Sequence, residues 1–198
     1  DNLVKRTAEL LSIPNEFIAA RLKILTENGT LMLYPRTGLL QRKKMFFYEA
    51  GIADHIQRLY RAPSSLPAIQ IDQALKWTEE KLNIQWSNTQ KNALRAILGS
   101  KLAVLTGGPG TGKTTLLKAL VGVLSAKHVR LCLAAPTGRA AQRMSEATGL
   151  KTHTVHRTLK FEPSIGRFTY DDDNLLPIDY LILDESSMLD VALTHALL

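Results

Sequence analysis

The chain has 198 residues, 45% of them hydrophobic and 22% charged, enough for one large or two small packed domains. Its single cysteine, Cys132, excludes an internal disulfide, and no stretch approaches the roughly 18 apolar residues of a membrane span. The first residues lack the charged, apolar and small-residue order of a secretory leader, so the expectation is a cytoplasmic protein without a membrane partner. The net charge of +7 is uneven: residues 86–170 hold 13 Lys and Arg against Glu146 and Glu162, while residues 171–198 hold seven acids and no Lys or Arg. Such a basic stretch fits a polyanion partner, and it equally fits a solvated surface that carries the charge a nucleotide needs.

In chain order, residues 3–11 and 14–28 read as helices, the second opened by Pro14, closed by Gly29 and carrying Ile18, Leu22 and Leu25 on one face. Residues 30–34 and 39–48 read as two strands around the turn residues Pro35, Arg36, Thr37 and Gly38. Two helices and a basic hairpin suggest a winged helix, in which Arg36, Arg42, Lys43 and Lys44 either touch a DNA backbone or only pack. A helix over 49–61, a Pro/Ser break at 63–67 and a helix over 72–82 follow. The expected domains are a helical, winged extension over 1–62, a linker and helix over 63–85, and a further domain over 86–198. Within that last part the order is helix (89–98), strand (102–106), helix (113–125), strand (129–135), helix (139–147) and strand (180–183), which means α/β with a parallel sheet. Residues 161–179 read as a polar surface excursion, whose Asp171–Asp173 run is expected to be solvated rather than a cation site.

The run Gly107-Gly108-Pro109-Gly110-Thr111-Gly112-Lys113-Thr114-Thr115 lies between the second of these elements and the third. A polyphosphate needs backbone N–H groups close to its oxygens; glycines permit that approach, a helix start adds a positive dipole, and Lys113 adds a full charge. Thr114 offers a hydroxyl to Mg²⁺, and a chance match to this spacing has a probability on the order of 1%. The candidate nucleotide-binding set is therefore Gly108, Gly110, Thr111, Gly112, Lys113, Thr114 and Thr115. Asp184 and Glu185 end an apolar strand: Asp184 would hold Mg²⁺ with Thr114, and Glu185 would activate the attacking water, with Lys113 beside it as the second catalytic candidate.

Gln90 has two open readings. Its amide matches the donor and acceptor edge of adenine, and with Ser87 three residues earlier it also forms a capping box that needs no ligand. Pro136, Thr137, Gly138 and Arg139 lie where a strand gives way to a helix, so they either grip a phosphodiester or merely cap the helix. His153 and His156 lack a third ligand nearby and are not read as a metal site.

These segments together resemble the N-terminal part of a RecD-like helicase of superfamily 1, in the long form with an N-terminal extension. The resemblance rests on Gln90, on residues 107–115, on Ala135-Pro136-Thr137-Gly138-Arg139-Ala140-Ala141 followed by Ser145-Glu146-Ala147-Thr148-Gly149, on Thr154-Val155-His156-Arg157, and on Asp184-Glu185-Ser186-Ser187-Met188. Ser186 stands where relatives more often carry Ala or Thr. The resemblance implies a RecA-like domain and an ATP- and Mg²⁺-dependent enzyme that moves 5′ to 3′ on single-stranded DNA and opens duplex junctions. It also implies that Gln90 reads adenine and that Pro136 to Arg139, Thr154 and His156 line the strand. Such helicases complete the site with a second RecA-like domain. The chain starts at Asp1 and stops at Leu198 in an expected helix, so the expectation is a piece of a larger protein, nearly inactive alone. Two rival readings are a DNA-binding module that senses nucleotide and the helicase part of a conjugative relaxase.

Overall fold

The computed structural model describes residues 2–34, 37–64 and 66–198. The chain divides into two compact units, one up to Ile52 and one from Ala53 to Leu198.

In the first unit, α1 (Asn2–Leu11) and α2 (Asn15–Glu27) bury Ala8 and Ile18. After α2 the chain turns through Gly29, whose φ of +72° a side chain would disfavour, into a hairpin of β1 (Leu31–Leu33) and β2 (Leu40–Arg42). The register pairs Met32 with Gln41, and the Tyr34 hydroxyl donates to Gln41 Oε1 at 2.6 Å. The second strand is shorter than the sequence suggests. The last cross-strand bond runs from the Lys43 amide to the Thr30 carbonyl, and α3 (Lys43–Arg61) starts at once. Aromatic residues at 46–48 favour strands on local propensity, yet no residue from 43 to 48 is β-branched, and in the helix the Phe46 ring packs against Tyr34 at 5.4 Å. Lys43 and Lys44 thus sit on the first turn of a helix rather than on a wing; Arg36 lies outside the described residues.

The second unit builds on a parallel sheet ordered β4 (Thr152–Thr154), β3 (Leu131–Ala135), β7 (Tyr180–Leu183). Leu133 pairs with Thr152 on one side and with Ile182 on the other. Both faces are covered, so the strands read as continuous apolar runs, and the alternation of side chains sorts them. Leu131, Leu133 and Ile182 pack with Val121, Leu124 and Met144 from α6 (Lys113–Ala126) and α7 (Gly138–Thr148). Ala134, Leu181 and Leu183 pack instead with Val155, Leu159 and Leu193, from α8 (Val155–Thr158), the residue after it, and α9 (Val191–Leu197). Cys132 shares this second face, half-buried; burial pushes its thiol up, and the Thr158 hydroxyl pulls it partly back.

Helices α4 (Ile71–Leu82) and α5 (Asn88–Gly99) complete the first face. Leu75, Trp86, Leu94, Leu116 and Ala119 form one cluster there. Trp86, 5% exposed, donates from its indole to Thr78 Oγ1 at 2.9 Å, and that hydroxyl donates onward to the Leu75 carbonyl. At the amino end of the sheet Arg130 grips Asp179 with its backbone amide, Nε and one terminal nitrogen, so the entries to β3 and β7 are clipped together. This bidentate pairing holds the Asp179 carboxyl down at about 2.

Three further differences from the sequence reading stand out. Residues 102–106, read as a strand, form no ladder: Val104 is 80% exposed, and residues 102–105 wall a groove of about 270 Å³ with Ala93, Ala96 and Ile97. A strand exists only with a hydrogen-bonded neighbour, and none of the described strands pairs with this segment. The three-residue β4 has too few positions to show a period in the sequence. The excursion at 161–179 contains a small hairpin, β5 (Phe161–Glu162) with β6 (Arg167–Phe168), turned at Gly166. No helix among the described residues is long and apolar enough to cross a membrane.

Candidate functional site

The glycine run forms an exposed bend that leads into the N-terminus of α6. Gly110 and Gly112 have φ of +74° and +86°, a left-handed backbone that a side chain would strain. Crowding adds a second demand for glycine. A Cβ on Gly107 would stand 2.8 Å from Thr111 Oγ1, and one on Gly112 would stand 2.7 Å from Gln90 Nε2. Among the described residues, no backbone amide from Gly107 to Thr115 donates a hydrogen bond within the protein; the first that does is Leu116, to the Gly112 carbonyl. Unspent amides at a helix start, at the positive end of its dipole, are what an anion needs. Lys113 folds its ammonium onto the Gly107 and Gly108 carbonyls, the second at 2.7 Å, and Thr111 Oγ1 also donates to the Gly108 carbonyl at 2.9 Å. The cation is thus already delivered to the bend. Thr114 is exposed beside it, and Thr115 is half-buried.

Gln90 realises the capping box. Its backbone amide donates to Ser87 Oγ, and its Oε1 accepts from the Ser87 amide at 3.1 Å. Its Nε2 donates to the Thr111 carbonyl at 3.3 Å, which ties α5 to the glycine bend. Both ends of the side-chain amide are therefore engaged by the protein itself.

The acidic pair sits at the carboxyl end of β7. The Asp184 amide donates to the Ala134 carbonyl, and Asp184 Oδ1 accepts from the amide of Glu185 at 2.9 Å. Glu185 has φ of +52°, left-handed for a non-glycine, and opens a 3₁₀ turn over Ser186–Met188. Its Oε1 accepts from Arg143 Nη2 of α7 at 2.6 Å. Among the described residues, no hydrogen bond or ion pair joins Asp184 or Glu185 to the glycine bend.

After β3, Pro136 leads to Thr137, whose Oγ1 caps α7 by accepting from the Ala140 amide at 3.2 Å; Gly138 and Arg139 form its exposed first turn. Thr154 does the same for α8, accepting from the Arg157 amide. Both threonines thus have a capping role in the fold. His156 is exposed and packs edge-on against Phe161 at 5.6 Å. His153 is held below the usual imidazole range, first by burial and then by Arg157 and Lys151. Among the described residues no group of three or more His, Cys, Asp or Glu could hold a metal ion, and Asp171 spends Oδ1 on the amides of Asp173 and Asn174.

Sequence reasoning missed Arg143 and the Arg130–Asp179 clip. Arg143 lies one turn beyond Arg139 on α7, a spacing legible in the sequence, but its partner is 42 residues away.

Residues 90–198 match the family model described as AAA domain. The chain is 38% identical over 150 residues to the ATP-dependent RecD2 DNA helicase of Deinococcus radiodurans, covering 76% of this chain and 20% of that protein. Over 133 residues it is 38% identical to the RecBCD enzyme subunit RecD of Mycolicibacterium smegmatis, covering 55% of this chain and 24% of that one. Over 124 residues it is 36% identical to the ATP-dependent DNA helicase dda of Enterobacteria phage T4, covering 55% and 27%. The chain thus spans about a fifth to a quarter of the length of these curated relatives. With its glycine bend at a helix start and an α/β core around a parallel sheet, the chain belongs to the AAA domain family and is a RecD-like member of it.

Proposed function

We propose that this chain is the nucleotide-binding part of an ATP-dependent 5′ to 3′ DNA helicase. The observation that carries the reading is the set of unspent amides from Gly107 to Thr115, with Lys113 delivered to the same bend, in a chain whose relatives are named as helicases. The residues fit a nucleotide triphosphate with Mg²⁺: the open positions at Gly108 and Gly110 leave room for phosphate oxygens, and Lys113 and the start of α6 supply positive charge. Thr114 and Asp184 offer the hard oxygen ligands that Mg²⁺ takes. Bound ATP supplies the phosphoanhydride whose hydrolysis drives movement.

The chain's own residues then divide the work. Lys113 neutralises developing phosphate charge, and Glu185 orients a water and accepts its proton. Gln90 recognises adenine by releasing one end of its amide. Single-stranded DNA runs past Pro136, Thr137, Gly138 and Arg139, and past Thr154 and His156, all at or just after the carboxyl ends of adjacent parallel strands. A second RecA-like domain contributes the missing half of the nucleotide site and of the strand path. Since an arginine finger is worth about 10³ to 10⁵ in rate, the 198 residues alone turn over very little ATP.

The test uses the intact protein that carries this chain. Lys113→Ala abolishes ATP-driven unwinding and leaves single-strand binding largely intact, whereas Glu185→Gln retains bound ATP unhydrolysed. Unwinding by Lys113→Ala at the wild-type rate removes the phosphate-loop assignment, and normal turnover by Glu185→Gln shows that another group activates the water.

A further inference from the structure

We propose that Arg143 is a positioning residue that holds Glu185 out of use until a nucleic-acid phosphate draws it away, which makes hydrolysis depend on a bound strand. This rests on the preceding reading of Glu185 as the general base and of the start of α7 as a phosphodiester contact.

Three observations support it. The first is selectivity: α7 carries an acid of its own, Glu146, within reach of Arg143 at i+3. Glu146 accepts instead from Gln142 at 2.9 Å, and Arg143 reaches across to Glu185 Oε1 at 2.6 Å. Because β3 and β7 are parallel neighbours, the helix that follows one and the acid that follows the other meet at the same end of the sheet. The second is the fixed aim of Glu185. Its left-handed backbone persists only where the surroundings determine it, here through the Asp184 carboxylate on its own amide. A carboxylate placed this way, with Oε1 occupied by a guanidinium, does not have that oxygen free to hold a water.

The third is that the lock is weak. The Arg143 and Glu185 side chains are 63% and 32% exposed, so solvent screens the pair and one competing phosphate contact suffices to open it. A competing site lies one turn away. The side chain of Arg139, exposed at i−4 on the same stripe of α7, makes no hydrogen bond or ion pair among the described residues. A phosphodiester at Arg139 finds Arg143 next along the helix, and a guanidinium exchanges one singly charged pair of oxygens for another.

The experiment measures ATP hydrolysis by the intact protein with and without single-stranded oligothymidylate. Arg143→Ala is expected to raise the DNA-free kcat about two- to fivefold, the range an exposed ion pair allows, with KM for ATP unchanged. The saturated rate moves less, so the stimulation ratio falls by a similar factor, and Arg143→Lys restores much of it. A DNA-free kcat that stays level or drops in Arg143→Ala, in a wild type that DNA stimulates, overturns the switch and leaves the helicase reading intact. A KM shift at constant kcat overturns it as well, by showing a merely structural role. A wild type with no DNA-stimulated hydrolysis removes both.

Discussion

Separating the two roles of Gln90 needs a pair of substitutions. Ser87→Ala removes the hydroxyl that accepts from the Gln90 backbone amide, a cap worth about 1 kcal/mol, and leaves the Gln90 side chain and its contacts in place. Gln90→Ala removes both the acceptor for the Ser87 amide and the donor to the Thr111 carbonyl, at about 1 kcal/mol each, offset by a few tenths from the better helix propensity of alanine. At about 2–4 °C per kcal/mol for a chain of this size, Ser87→Ala lowers the Tm by about 2–4 °C and Gln90→Ala by about 3–7 °C. Both tryptophans, Trp77 and Trp86, lie in the second unit, so their fluorescence reports its melting. Competition between ATP and GTP for the same protein then reads base recognition. Preference for ATP survives in Ser87→Ala and is lost in Gln90→Ala. A Gln90→Ala melting point equal to wild type refutes the structural half of this reasoning, and an ATP preference intact in Gln90→Ala refutes the recognition half.

Thr78→Val keeps the shape of the side chain but strips the buried Trp86 indole of its acceptor, and is expected to cost about 1–3 kcal/mol in urea unfolding followed at the tryptophans. An unchanged midpoint shows that the indole finds another partner. Asp179→Asn removes the charged half of the clip. The folded carboxyl titrates at about 2 against 3.8 for the free group, so its contribution is present above 3.8 and is lost as pH falls through about 2. Asp179→Asn therefore flattens the stability profile between those values and lowers stability at neutral pH; identical acid profiles for the two proteins contradict the clip.

What the sequence discloses follows how local each cause is. The glycine bend, the capping box at Ser87 and Gln90 and the acid pair after an apolar strand are written in consecutive residues, so their positions are legible. The long strand expected over 39–48 was a matter of competing local signals: Phe46, Phe47 and Tyr48 favour a strand singly, while packing on Tyr34 and the run of unbranched residues favour the helix that forms. Residues 102–106 show the converse limit, since apolar content names a strand but only a neighbour makes one. Arg143 and Glu185, or Arg130 and Asp179, meet only because β3 and β7 lie side by side, and no window of sequence contains both partners.

The face of β3 that turns toward α8 has a practical consequence. Cys132 is the sole thiol in the chain, and its surroundings keep it protonated, so an alkylating reagent finds little thiolate while the sheet is closed. Its labelling rate is therefore a clock for the opening of the central strand, one that needs no engineered probe and that runs at a single known position.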